Sequence, residues 1–137
     1  MFVATLTVAS ACGIGAEAPP SSSPGPARCE ITSQAVAGAT VTILHQAFGD
    51  PVTINAGGAV AFDNRTNTYH TITEGTLGKA AADACVNTRL PKEQRLVLTF
   101  HVAGDYPITC RRHPSMHTTV HVVPTDASPS PSGSGIR

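Results

Sequence analysis

The stretch Tyr106-Pro107-Ile108-Thr109-Cys110-Arg111-Arg112-His113-Pro114-Ser115-Met116 carries the chemistry of this chain and, through its flanks, its fold. A thiol, an imidazole and a thioether follow one another at intervals of three, and a second imidazole, His70, stands far upstream. Soft sulfur favours Cu(I) and imidazole serves both oxidation states. Three strong donors near a plane with a weak axial sulfur therefore suit a trigonal copper centre. Structural zinc usually draws four Cys or His ligands and has no use for Met. Three donors on one short loop and a fourth on a distant strand would pin the geometry, so that little moves when one electron arrives. Taken singly, each residue has a plainer explanation: Cys110 as a small buried apolar side chain, Met116 as packing, and any one His as a solvated surface group.

On both sides of this loop apolar residues recur with period two. Tyr106, Ile108 and Cys110 lead into it, and Thr118, Val120 and Val122 leave it. Upstream, Leu96, Leu98, Phe100 and Val102 share one face, with Val97, Thr99 and His101 on the other. Val60 and Phe62 alternate with Ala61 and Asp63, and Ala39, Val41 and Ile43 alternate with Thr40 and Thr42. Such alternation marks half-buried strands. Phe48-Gly49-Asp50-Pro51, Ala56-Gly57-Gly58 and Ala103-Gly104-Asp105 supply the turns between them. The pattern predicts an all-β antiparallel sandwich of six to eight short strands. Only Leu77 to Leu90 breaks the rhythm. Its run Lys79-Ala80-Ala81-Ala82-Asp83-Ala84-Cys85 is rich in helix formers, which predicts a loop insertion near 77–90 carrying one or two helical turns.

The motif Cys110-x-x-His113-x-x-Met116, followed by a Thr/Val strand, resembles the ligand loop of the cupredoxins, the small blue copper proteins, and its short spacing is similar to the plastocyanin/amicyanin type. Pro51 to Asn64 resembles the strand-turn-strand of that family, and His70 stands six residues after Asn64, as the family's first His ligand does. The resemblance spans roughly Val41 to Val123 and implies a Greek-key β-sandwich with one mononuclear type 1 copper. It implies His70, Cys110 and His113 as equatorial ligands and Met116 as the axial one. Asn64 is implied to tie the ligand-bearing segments together by hydrogen bonds, as outer partners of metal ligands generally do. The implied function is electron transfer by Cu(II)/Cu(I) cycling between redox partners, with the edge of His113 as the electron port. Arg111 and Arg112 depart from the small or proline-containing loops common in the family. They are expected to steer an acidic partner, more weakly as salt rises. A copper-binding or copper-delivery lipoprotein is the alternative function. An enzyme is not expected: multicopper oxidases need His-x-His pairs, and catalysis needs an open coordination position that four protein ligands close.

The rest of the sequence sets the context. Its 137 residues carry 9 Lys+Arg and 9 Asp+Glu, hence zero formal charge, which argues against nucleic acid as a partner. The longest apolar run, Phe2 to Ala11, is about half of the roughly 20 residues that cross a bilayer, so no spanning helix is expected. That run resembles the apolar part of a secretory signal (residues 1–11). Ala9-Ser10-Ala11 before Cys12 resembles a bacterial lipoprotein cleavage site, with Ala9 where Leu is usual and no Lys or Arg after Met1. An ordinary secretion signal with an incidental Cys12 is the alternative. Residues 12–28, rich in Gly, Ala, Pro and Ser, read as a flexible tether to a domain over 29–124, and 125–137 as a disordered Ser/Pro/Gly tail. The protein is expected to be exported to the cell envelope, extracellular face or periplasm. With Cys12 assigned to lipid and Cys110 to copper, Cys29 and Cys85 remain as a candidate disulfide in an oxidising compartment; two free thiols are the alternative. His45, His101, His117 and His121 receive no role.

Overall fold

The structure, a computed structural model, describes residues 27–125. The signal segment, the lipidation site Cys12, nearly all of the 12–28 tether and nearly all of the tail fall outside the described residues. Ten strands follow in chain order: β1 Cys29–Ile31, β2 Ala39–Ile43, β3 Val52–Asn55, β4 Ala59–Asn64, β5 His70–Thr76, β6 Lys79–Ala80, β7 Asn87–Leu90, β8 Arg95–Phe100, β9 Gly104–Thr109 and β10 His117–Val123. They form two sheets, one ordered β1-β8-β4-β2 and the other β3-β10-β9-β5-β6, with β7 also paired to β5.

Period-two faces close on one another as the alternation predicts. Val41, Ile43, Val60, Phe62, Leu98 and Phe100 from the first sheet meet Ile54, Ile72, Tyr106, Ile108, Val120 and Val122 from the second. Burying apolar side chains of this size contributes roughly 1.5–3 kcal/mol each. Phe100 and Tyr106 pack edge to face with centroids 4.9 Å apart. The Tyr106 hydroxyl donates to the Val102 carbonyl at 2.6 Å, so the one polar atom of this buried ring is satisfied.

Two expectations are corrected. The sandwich is not wholly antiparallel, because β2 pairs with β4 and β3 with β10 in parallel. The cause is the Ala56-Gly57-Gly58 turn, which carries the chain from one sheet to the other, so that β3 and β4 adjoin in sequence yet belong to different layers. Gly57 has φ +85°, and a Cβ on Gly58 would lie 2.8 Å from the Asn55 carbonyl oxygen. The second correction concerns residues 77–90, where no helix forms; β6 and β7 are found instead, raising the strand count to ten. Leu77 (φ 51°) and Gly78 (φ 75°) make a two-residue turn between the paired Thr76 and Lys79. Positive φ at both positions is the hairpin turn whose twist matches that of the strands. Ala80 pairs with Gly75, the Ala81 amide donates to the Glu74 carbonyl and Ala81 to Ala84 form a single turn, after which β7 pairs with β5 through His70↔Leu90, Thr71↔Arg89, Ile72↔Thr88 and Thr73↔Asn87.

A covalent and ionic clamp holds the end of the sandwich where β8 finishes and β9 begins. Cys29, opposite Phe100 on β8, is disulfide-bonded to Cys85 with Cα atoms 5.5 Å apart. Beside it the Arg28 guanidinium meets the buried Glu74 carboxylate through two bonds of 2.9 Å, and the Cys85 amide donates to the same carboxylate at 2.7 Å. The C-terminus of β9, the N-terminus of β10 and the N-terminus of β5 meet at the other end.

Candidate metal centre

Cys110 directly follows β9 and His70 opens β5, so the ladder between these neighbouring strands sets their separation. Both side chains are fully buried and His113 is half-buried. The interval of three along the loop has a backbone cause. The His113 amide donates to the Cys110 carbonyl at 3.2 Å and the Met116 amide to the His113 carbonyl at 2.8 Å, making two successive turns. The Cys110 amide closes the loop on the Met116 carbonyl at 3.3 Å, and the Thr109 hydroxyl donates to the same carbonyl at 3.2 Å. The turns fold the loop back on the end of β9 and bring the His113 imidazole to the Cys110 sulfur.

The donor atoms form a small triangle. Cys110 Sγ lies 3.9 Å from His70 Nδ1 and 3.8 Å from His113 Nδ1, and all three donors fall within 4.8 Å of one another. The imidazole centroids are 5.1 Å apart. The centre of such a triangle is about 2.2–2.5 Å from each corner, against the roughly 2.0–2.3 Å of metal–imidazole and metal–thiolate bonds. One ion fits the three donors with little movement. Met116 is buried on the same loop at 2% exposure.

Outer partners orient the donors. The Thr66 hydroxyl lies 2.7 Å from Asn64 Oδ1, to which it donates, and 3.0 Å from His70 Nε2. With its one proton committed, Thr66 accepts the Nε2–H of His70, which leaves Nδ1 unprotonated and facing Cys110. Burial, then His113, then Arg112 push the His70 pKa down, which favours the neutral ring that binds metals. Asn64 Nδ2 donates to the Thr68 and Pro91 carbonyls, each at 2.9 Å, with the Leu90 carbonyl at 3.3 Å. Asn64 thereby ties β4 to the segment before His70 and to the end of β7. On the sulfur side the Thr71 amide points at Cys110 Sγ at 3.4 Å, and the Arg111 amide donates to the Thr71 hydroxyl at 2.8 Å.

Of the residues singled out in the sequence, the fold brings together His70, Cys110 and His113, with Asn64 behind them, Met116 buried on the same loop, and Arg111 and Arg112 exposed on it. It missed Thr66 and Thr71. Asn64-Arg65-Thr66 carried a usable signal, since Asn and Thr two apart commonly form a side-chain-bonded turn; Thr71 carried none, because both its amide and its hydroxyl act on the ligand loop some 40 residues away. His117 and His121 stay outside the cluster: His117 Nδ1 sits 3.0 Å from the Ser115 carbonyl oxygen and His121 Nδ1 2.7 Å from Asp105.

A two-layer sandwich with a thiol and two imidazoles converging at one end is the architecture of the small blue copper proteins, and the chain belongs to that family, the cupredoxins. The particular protein it is similar to is amicyanin. Against the oxidized state of a proline-to-alanine mutant of amicyanin the identity is 30%, covering 69% of this chain and 98% of the other, with a TM-score of 0.55. Amicyanin from Paracoccus versutus (Thiobacillus versutus) is 27% identical over 71% of this chain and 99% of its own, with a TM-score of 0.57. A Cu(I) form of a methionine-to-alanine mutant of amicyanin is 26% identical over 69% and 98%, also with a TM-score of 0.57. Neither models of protein families nor curated proteins match the chain.

Proposed function

We propose that the protein is an exported single-electron carrier that holds one mononuclear copper. The observation that supports this most is the triangle of Cys110 Sγ, His70 Nδ1 and His113 Nδ1, sized for one ion. Copper, when bound, supplies the Cu(II)/Cu(I) couple. The chain does the rest: His70, Cys110 and His113 would hold the ion, and Met116 would offer a further, weak sulfur donor. Thr66 and Asn64 fix the His70 ring, and the Thr71 amide donates to the thiolate, so the site is preorganised for both oxidation states. With Met116 as a fourth donor no position would be left open for a substrate, which favours a carrier over an enzyme. His113 is half-buried, so its outer edge is where an electron would leave or enter, and the exposed Arg111 and Arg112 beside it would steer an acidic redox partner.

The Cys29–Cys85 disulfide fits an oxidising compartment. With the apolar segment 1–11 and Cys12 behind it, it supports export to the cell envelope, with Cys12 as a lipid anchor. The test is a reductive and oxidative titration of the copper-loaded protein followed by absorption, with electron self-exchange measured by NMR. A reversible one-electron couple with fast self-exchange is the expected result. Copper that dissociates on reduction, with slow self-exchange, would instead assign the protein to copper binding or delivery.

A further inference from the structure

The net charge of the whole chain is zero, yet among the described residues several unpaired cations lie side by side. Among the described residues Glu74 and Asp83 pair with Arg28, Asp63 with Arg65, Glu30 with His101 and Asp105 with His121. Among the described residues no carboxylate pairs with Lys79 on β6, with Arg95 on β8, or with Arg89, Lys92, Arg111 and Arg112, and these last four are all exposed. These four are neighbours through the fold. Arg89 on β7 stands opposite Thr71, whose hydroxyl accepts the Arg111 amide. Arg112 donates to the Thr68 hydroxyl at 3.1 Å. Lys92 lines the same shallow depression as Tyr69 and Arg89.

Tyr69, the residue before His70, organises this group. The Arg89 guanidinium lies 3.8 Å and the Arg112 guanidinium 4.6 Å from the centroid of its ring. Two like charges thus share one aromatic ring, no farther apart than those two distances together. The ring quadrupole attracts each cation, but nothing in the fold neutralises their mutual repulsion. Glu93, the acidic residue next to Lys92, pairs with none of the four. Lying against the ring also restricts both guanidinium groups in advance, so less side-chain freedom is lost when a carboxylate arrives.

We propose that Tyr69, Arg89, Arg111 and Arg112, with Lys92 at the rim, form a preorganised docking face for a protein partner that presents clustered Asp and Glu side chains. Arginine forks engage carboxylates two bonds at a time, and the face lies beside the metal cluster. Arg89 and Tyr69 come from segments distant from the ligand loop, so the face is wider than the Arg111-Arg112 pair that sequence alone suggested. That its occupant is a redox partner rests on the electron-carrier reading; that it binds acidic protein surface does not.

The test is a 15N NMR titration of the protein, as purified and again after copper addition, with the redox-inert paramagnetic trianion hexacyanochromate(III). Broadening should concentrate at Tyr69, Arg89, Arg111 and Arg112 in both samples and vanish at 0.5 M NaCl. Arg89→Ala/Arg112→Ala should weaken it at least tenfold. Tyr69→Ala, which removes no charge, should weaken it several-fold, whereas Tyr69→Phe should not. A glutamate-rich peptide should reproduce the map and bind more tightly than a DNA oligonucleotide of equal charge. Broadening spread evenly over the surface, or unaltered in the double variant, would overturn the proposal, and so would tighter binding of the oligonucleotide. Because the map is also read without added copper, its failure is distinguishable from failure of the electron-carrier reading.

Discussion

Replacing Asn64 tests whether one buried amide holds the metal end of the sandwich together. Its Nδ2 group carries two protons and faces three carbonyls, of which Thr68 and Pro91 at 2.9 Å are the well-placed acceptors. Its Oδ1 accepts from the Thr66 amide at 3.0 Å and the Thr66 hydroxyl at 2.7 Å. Asn64→Ala removes these four bonds. At about 1 kcal/mol each the loss is about 4 kcal/mol, a large part of the stability of a small domain. Asn64→Asp makes a sharper comparison. It keeps the acceptor but puts a carboxylate against the Thr68, Leu90 and Pro91 carbonyls, which raises the pKa of the new group in the folded state. A raised folded-state pKa means stability that is present at low pH and lost as pH rises. The Asp variant should therefore be the least stable at pH 7 and regain stability on acidification toward pH 4, whereas the Ala variant should not recover relative to the parent. Urea unfolding with an unchanged m-value reads both. A cost below about 1 kcal/mol for Asn64→Ala, or no difference in pH response between the two variants, would refute this account of Asn64.

Three further outcomes are expected. Removing the disulfide as Cys29→Ala/Cys85→Ala opens a link between residues 56 apart in sequence, which chain entropy values at about 4 kcal/mol; equal denaturation midpoints with and without the link would contradict this. Leu77→Asn relieves an exposed Leu held at φ 51° and creates the Asn-Gly pair that this turn favours, so it should raise stability by roughly 0.5–1 kcal/mol in thermal unfolding; a lowered melting temperature would count against the turn. Burial is the main cause that raises the Tyr106 pKa, so the folded protein keeps the phenol proton while the unfolded chain loses it near pH 10. Stability should then fall as pH rises through 10, and a pH scan of Tyr106→Phe should show a shallower decline than the parent.

Most of the candidate site was legible because its information is local. Cys110, His113 and Met116 follow the spacing of two consecutive backbone turns, so chemistry and conformation are written in the same short segment. The strand faces were legible for the same reason. What the sequence concealed depends on distant partners. The alanine-rich stretch 80–84 has helix propensity in isolation, but β5 draws its start, Ala80, and the following segment 87–90 into pairing that no local rule anticipates. The parallel pairs arise from a turn that changes sheets, and nothing in Ala56-Gly57-Gly58 distinguishes a corner from a hairpin. Arg28 and Glu74 lie 46 residues apart in sequence and their pairing could not be read from either neighbourhood. The sharing of Tyr69 by Arg89 and Arg112 is hidden likewise, since it needs β5, β7 and the ligand loop in place at once.

The most direct test of the central claim is the visible spectrum of the purified protein titrated with Cu(II), repeated for Cys110→Ser. The triangle of one thiolate and two imidazoles predicts an intense sulfur-to-copper absorption. It should saturate at one copper per chain, bleach reversibly with reductant and be absent from the serine variant. Copper binding without that colour, or the same colour in Cys110→Ser, would contradict the claim.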